Sequence, residues 1–191
     1  MKYICGPQWD QRIVDISQSG KVGIVMSGGI DSYVLYKLLE DPIIFNIARA
    51  DGFDTAGRIR ALTGKDVIEV PESTDNPKSR IGDTIAVILN TYDLDQLYVG
   101  INHTPPIELF PEFNTIDKPH RPWRLRSSSL CDGVVKAPLL HLYKYHIIDL
   151  ANKLGVDLSE TRSCIGKAVG DECGECWQCR EKAWAYEQLR H

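Results

Sequence analysis

Two clusters in this 191-residue chain have the residue types and spacing for chemistry. The first is Ser27-Gly28-Gly29-Ile30-Asp31-Ser32, directly after the apolar run Val22–Met26. A phosphate-binding turn needs inward-facing backbone N–H groups, small residues for close approach, and a helix N-terminus behind it. This turn offers all three and adds two hydroxyls. A Walker loop would place Lys-Ser or Lys-Thr at the helix start. Gly23 and Gly28 have its outer spacing, but Gly29 stands where the lysine belongs. The dinucleotide fingerprint is excluded as well, since no Gly-x-Gly-x-x-Gly occurs. The second cluster is Cys164, Cys173, Cys176 and Cys179, spaced Cys-x8-Cys-x2-Cys-x2-Cys. Four thiolates close a tetrahedral zinc site without histidine, and such a zinc is structural because no coordination position stays open. An iron–sulfur cluster is the rival, because Cys-x2-Cys-x2-Cys suits one too. Cys5 and Cys131 fall outside the set and read as free thiols.

Elements that could position these clusters alternate along the chain. Residues 8–18 suit a short leading helix. Strands are expected at Val22–Met26, Ile43–Ala48, Val67–Val70, Leu97–Ile101 and Val134–Leu140. Between the first two, Ile30, Val34, Leu35, Leu38 and Leu39 recur at helical spacing until Pro42. Residues 54–63 suit a helix closed by Gly64, and Lys78–Tyr92 places Ile81, Ile85, Ile88, Leu89 and Tyr92 on one face. Tyr143, Ile147, Leu150, Ala151 and Leu154 line a last sheet-packed helix, which Gly155 ends. This alternation predicts a doubly wound α/β fold, its parallel sheet covered on both faces. Ligands then sit beyond the carboxyl ends of the strands, where the Ser27 turn lies. Residues 1–160 form the expected α/β domain that carries the phosphate-type turn. Residues 161–191 form a metal-binding knuckle and helix packed on the same domain, with little core of their own.

Bulk properties narrow the function. A composition of 43% hydrophobic and 25% charged residues is that of an ordinary globular domain. A net charge of -4 argues against a general nucleic-acid attractor. No secretory h-region or membrane-spanning run is visible. Four of the six cysteines crowd into 16 residues, which suits a metal site in a reducing compartment, so the cytoplasm is expected. Lys118, Arg121, Arg124 and Arg126 surround Trp123 and read as a solvated loop, with carboxylate, phosphate or RNA binding as the alternative. The five histidines are scattered and complete no catalytic motif.

At residues 27–32 the chain resembles the PP-loop ATP pyrophosphatase superfamily, whose signature is Ser-Gly-Gly-x-Asp-Ser. The resemblance implies a five-stranded parallel sheet of the adenine nucleotide alpha hydrolase-like type and cleavage of ATP between its α- and β-phosphates. It implies that Ser27, Gly28, Gly29 and Ser32 hold phosphates and that Asp31 orients the loop or helps hold magnesium. The turn from Ala48 to Asp51 would meet the adenine, and Gly100 would face the nucleotide. Lys144 opens the last helix off its apolar face, where the superfamily has a basic residue that reaches phosphate. A solvated helix lysine would look the same in sequence.

The two clusters together resemble the 7-cyano-7-deazaguanine synthases. Thr161-Arg162-Ser163-Cys164, the three later cysteines and Arg180 carry the likeness, with "APLLHLYKYHIIDLANKLGVDL" and "DLDQLYVGIN". The resemblance implies that ATP adenylates the carboxylate of 7-carboxy-7-deazaguanine. Ammonia then gives the amide, and a second activation gives the nitrile, without a protein nucleophile. It also implies zinc on the four cysteines and a homodimer. After Gly100-Ile101-Asn102 the chain departs from the pattern. It reads "HTPPIELFPEFNTIDKPHRPWR", retaining Pro111-Glu112-Phe113 but lacking the usual aspartate and arginine. Another carboxylate, or a reaction that stops at the amide, therefore stays open. Rival functions are a PP-loop enzyme that thiolates tRNA and a non-catalytic nucleotide-binding module. Only the enzymes would release pyrophosphate in a substrate-dependent way.

Overall fold

The computed structural model describes residues 1–48, 54–71, 80–106, 110, 129–130, 133–165 and 172–190, with backbone alone at 80, 81, 129 and 130. The leading helix expected over residues 8–18 is instead the second half of an antiparallel hairpin. Strands β1 (Lys2–Cys5) and β2 (Arg12–Asp15) pair with Lys2 opposite Asp15 and Cys5 opposite Arg12. The burial period explains the difference. Val14 and Ile16 are buried while Ile13 is exposed, so β-branched residues alternate at a period of two.

The main sheet comprises β3 (Val22–Val25), β4 (Ile43–Ala48), β5 (Val67–Pro71), β6 (Gln96–Val99), β7 (Ser129–Leu130) and β8 (Val135–Lys136), in the order β5-β4-β3-β6-β8-β7. Strands β3, β4, β5, β6 and β8 form the expected five-stranded parallel sheet, and β7 adds a short antiparallel edge to β8. Strand β8 is shorter than the expected Val134–Leu140. Pro138 has no N–H for the ladder, and the chain turns there, with Leu142 N–H donating to the Leu139 carbonyl at 2.9 Å.

The described residues form five helices, α1 (Ile30–Lys37), α2 (Thr55–Thr63), α3 (Arg80–Thr91), α4 (Lys144–Lys153) and α5 (Trp177–Gln188), the last packed on α4. Side-chain alternation along the strands divides the core. Ile24, Ile44 and Tyr98 face a cluster built with Val34, Leu35, Ile59, Ile147 and Leu150 from α1, α2 and α4. Phe45, Leu97 and Val99 face the opposite way, toward Ile85, Ile88 and Leu89 of α3. Strand order reverses at β3, and sheets of this kind bind ligands beyond the carboxyl ends of the strands at the reversal, here β3 and β6. The tail has more core than the sequence reading gave it. Helix α5 buries Cys179, Glu181 and Ala185, and Trp184 packs on Tyr145 of α4. Among the described residues no helix is long and apolar enough to cross a membrane.

Candidate functional site

The turn between β3 and α1 is braced from within. Gly28 has φ +73°, a left-handed conformation that glycine adopts without strain. The N–H of Ser27 donates to Ser32 Oγ at 3.2 Å, the two hydroxyl oxygens lie 3.3 Å apart, and Ser32 Oγ lies 3.2 Å from the Gly29 carbonyl. Ser32 is buried and shapes the turn, while Ser27 is exposed at its rim. Below it, Asn46 of β4 donates to the Met26 carbonyl at 2.9 Å. The Arg58 side chain lies over Gly28, where an added Cβ would sit 3.3 Å from Arg58 Cδ. Gly100, at the end of β6, abuts the α1 backbone, since a Cβ there would lie 2.8 Å from Ser32 Cα and N.

Lys144, the first residue of α4, is not a solvated lysine. Its side chain is 5% exposed, and Nζ lies 2.5 Å from Asp31 Oδ2 and 3.6 Å from Glu181 Oε2. Burial opposes the charge on Lys144, but the two carboxylates outweigh it and raise the pKa above the ordinary lysine range. Burial raises the Glu181 pKa, and the lysine draws it back in part. Glu181 Oε1 accepts from Asn102 Nδ2 at 2.9 Å. Lys144 thus stands between two carboxyl groups, one from α1 and one from α5. Asp31 Oδ1 is buried without a hydrogen-bond partner among the described residues. An orphaned carboxylate oxygen beside a phosphate-type turn fits a divalent cation arriving with a nucleotide.

The four predicted cysteines meet. Their sulfur atoms all lie within 4.8 Å of one another, with Cys173 and Cys179 sulfurs 3.9 Å apart and Cys176 and Cys179 sulfurs 3.4 Å apart. A zinc tetrahedron with bonds of about 2.3 Å has sulfur–sulfur edges of about 3.8 Å, so the set fits a tetrahedral ion. The N–H of Cys173 points to Cys164 sulfur at 3.4 Å, and that of Cys176 to Cys173 sulfur at 3.3 Å. Such bonds stabilise thiolate.

The cysteine segment also supports the phosphate-type turn. Arg162 N–H donates to the Gly28 carbonyl at 3.0 Å, and a Cβ on Gly29 would lie 3.5 Å from Ser163 Oγ. Ser163 N–H in turn donates to Glu172 at 2.9 Å, and Lys182 pairs with the same carboxylate at 3.0 Å.

Asp31, Lys144, Ser27, Gly28, Gly29, Ser32 and Gly100 therefore converge beyond β3 and β6. Ala48 ends the neighbouring strand β4, and the rest of the expected adenine turn, through Asp51, lies outside the described residues. So do the Lys118–Arg126 stretch, Pro111-Glu112-Phe113 and Cys131. Sequence reasoning missed Glu181, Asn102 and the Arg162–Ser163 backing. A signal for Glu181 was present, because it shares the inner stripe of α5 with Ala185 and so puts an acid on a buried face.

A family model described as "Queuosine biosynthesis protein QueC" matches residues 87–190, more than half of the chain. The 7-cyano-7-deazaguanine synthase of Leptospira biflexa is 29% identical over 139 residues, which cover 68% of this chain and 55% of that protein. The synthase of Acaryochloris marina is 31% identical over 108 residues, covering 52% and 46%. The chain thus spans about half the length of these curated relatives. Among solved structures, the U34-tRNA thiolase NcsA from Methanococcus maripaludis, with its 4Fe-4S cluster, matches at a TM-score of 0.43 and 17% identity, covering 90% of this chain and 72% of that one. That likeness is too slight to bear on chemistry. The residues matched by the family model include Gly100, Lys144, all four cysteines and Glu181, and the chain belongs to the queuosine biosynthesis protein QueC family.

Proposed function

We propose that the chain is an ATP-dependent ligase that converts 7-carboxy-7-deazaguanine, with ammonia, into 7-cyano-7-deazaguanine. The observation that carries this reading is the buried Lys144–Asp31 pair at the serine–glycine turn, beyond the carboxyl ends of the parallel strands. The first step joins a substrate carboxylate oxygen to the α-phosphorus of ATP, and pyrophosphate leaves with the electrons of the broken bond. Ammonia then attacks the acyl carbon, AMP leaves, and the nitrogen gives up a proton. For the nitrile, the amide oxygen attacks a second ATP in the same way. Loss of AMP and the remaining nitrogen protons leaves the triple bond.

The protein's part is positioning and charge stabilisation. Backbone N–H groups of Gly28 and Gly29 and the Ser27 hydroxyl hold the departing pyrophosphate, while Ser32 keeps their geometry. Lys144 offsets the charge that builds as the bond to phosphorus breaks. Asp31 is the residue for magnesium, which neutralises phosphate oxygens when bound. Ala48 and Gly100 border the nucleotide. Zinc is the proposed occupant of Cys164, Cys173, Cys176 and Cys179, where it would hold Arg162 and Ser163 against the turn. A homodimer in the cytoplasm belongs to the same reading.

Mass spectrometry of products from 7-carboxy-7-deazaguanine, ATP, magnesium and ammonium tests it. Nitrile with AMP and pyrophosphate is expected. Amide alone would shorten the reaction to its first half, and absence of both products would overturn the proposal.

A further inference from the structure

A phosphate-type turn accounts for Asp31 beside Lys144, but it does not account for Glu181. This acid comes from α5, is 2% exposed, and lies 3.6 Å from Lys144 Nζ through Oε2. Its other oxygen is fixed by Asn102 at 2.9 Å. Packing alone gives no reason for it, since an apolar side chain would seat α5 on α4 without the cost of burying a carboxylate. Its effect on Asp31 does. With Asp31 as sole partner, Lys144 would form a neutral pair, and any movement of Asp31 toward a cation would strand a buried ammonium. With Glu181 3.6 Å away, Lys144 keeps a partner whatever Asp31 does. Asp31 already has one oxygen, Oδ1, with no hydrogen-bond partner among the described residues.

We propose that Glu181 is a positioning residue that takes over Lys144 when Asp31 engages the divalent cation of an incoming nucleotide. This rests on the proposed role of Asp31 as the magnesium contact. The substitution Glu181→Gln keeps the shape and the Asn102 bond while removing the charge. Lys144 then holds Asp31 more tightly, and the site is less attractive to a divalent cation.

The test uses the full chain with its cysteine-bound metal and an ATP analogue whose α,β-bridge is a methylene. Calorimetry measures analogue binding while magnesium is varied. Removing a full charge from a buried site beside a divalent ion should raise the magnesium midpoint of Glu181→Gln on the order of tenfold. Binding of the analogue without magnesium should hold or tighten. Glu181→Asp, which restores the charge, should return the midpoint to within about threefold of the parent. If Glu181→Gln does not fold, Glu181→Leu carries the same test. A Glu181→Gln midpoint within about twofold of the parent overturns the proposal. If Asp31→Asn at the same time loses the magnesium effect, the Asp31 reading survives and only the role of Glu181 falls. If Asp31→Asn keeps the parent midpoint, both fall.

Discussion

Replacing Gly100 with alanine tests how the site is held. The added Cβ would lie 2.8 Å from Ser32 Cα and N and 3.0 Å from the Asp31 carbonyl carbon. All three atoms are backbone, so no rotamer change relieves the overlap. Carbon atoms in comfortable contact stand about 3.5 Å apart, so the first turn of α1 must retreat by about 0.7 Å. Overpacking of this kind costs about 1–3 kcal/mol. The same retreat moves Asp31, now 2.5 Å from Lys144 Nζ. Because a misplacement near 1 Å costs about 100-fold in rate, pyrophosphate release should fall between about 10- and 100-fold. Urea unfolding followed by circular dichroism and a coupled pyrophosphate assay read the two effects. Gly82→Ala is the contrast, since its Cβ meets nothing within 4 Å in the first turn of α3. That variant should gain about 0.5–1 kcal/mol and keep its turnover. A Gly100→Ala protein with unchanged stability and turnover would refute the backbone-to-backbone contact of β6 with α1.

Three further outcomes are expected. Asp31→Asn should abolish pyrophosphate release while cooperative unfolding persists, and full activity in that variant would remove the turn from the mechanism. Chelating metal from the cysteine set should loosen Arg162 N–H from the Gly28 carbonyl, 3.0 Å away. Loss of one such bond weakens nucleotide binding about tenfold, and calorimetry that finds unchanged affinity in a metal-free, folded chain would break the link. Stability should fall in acid because of His146. Burial holds its pKa below the ordinary range, with Nδ1 accepting from Tyr143 N–H at 3.1 Å and Nε2 2.9 Å from the Asp10 carbonyl. Arg12 and the Asp10 carboxylate also bear on the ring, the first lowering and the second raising its pKa. The unfolded chain takes up the proton near pH 6.5 and the folded chain only below that, so this stability is complete above about pH 6.5. It is lost as pH falls through the folded value, by up to about 1.4 kcal/mol per pH unit. Urea unfolding across that range should show a shallower slope in His146→Gln, and an identical slope would exclude the histidine.

The phosphate-type turn and the cysteine set were legible because each is contiguous, with its chemistry carried by residue type and short spacing. Lys144 was legible as a candidate but not as a buried one. It was read as off the apolar face of α4, yet it stands three residues before Ile147 and seven before Ala151, at the edge of their stripe, and Tyr145, His146 and Ile148 are buried too. A helix covered on several sides cannot be told from a one-faced helix by periodicity. The further cover comes from the hairpin and α5, far from α4 in sequence. The hairpin was misread because eleven residues over 8–18 satisfy helical spacing as readily as strand alternation when only Ile13, Val14 and Ile16 are apolar and β-branched. Glu181 was missed for a related reason, although its spacing from Ala185 carried a signal. An acid near a metal motif looks like surface until the helix that carries it docks.

The cluster of Asp31, Lys144 and Glu181 draws its members from near the beginning, the last quarter and the final helix of the chain. During synthesis, the turn that resembles a phosphate site is made early. The carbonyl of Gly28 must wait for Arg162, and Lys144 must wait for Glu181. A growing chain can therefore fold much of its sheet before it has the ion cluster. The cluster is complete only with α5, and a chain broken off before that point would keep Asp31 but lack the second partner of its buried lysine.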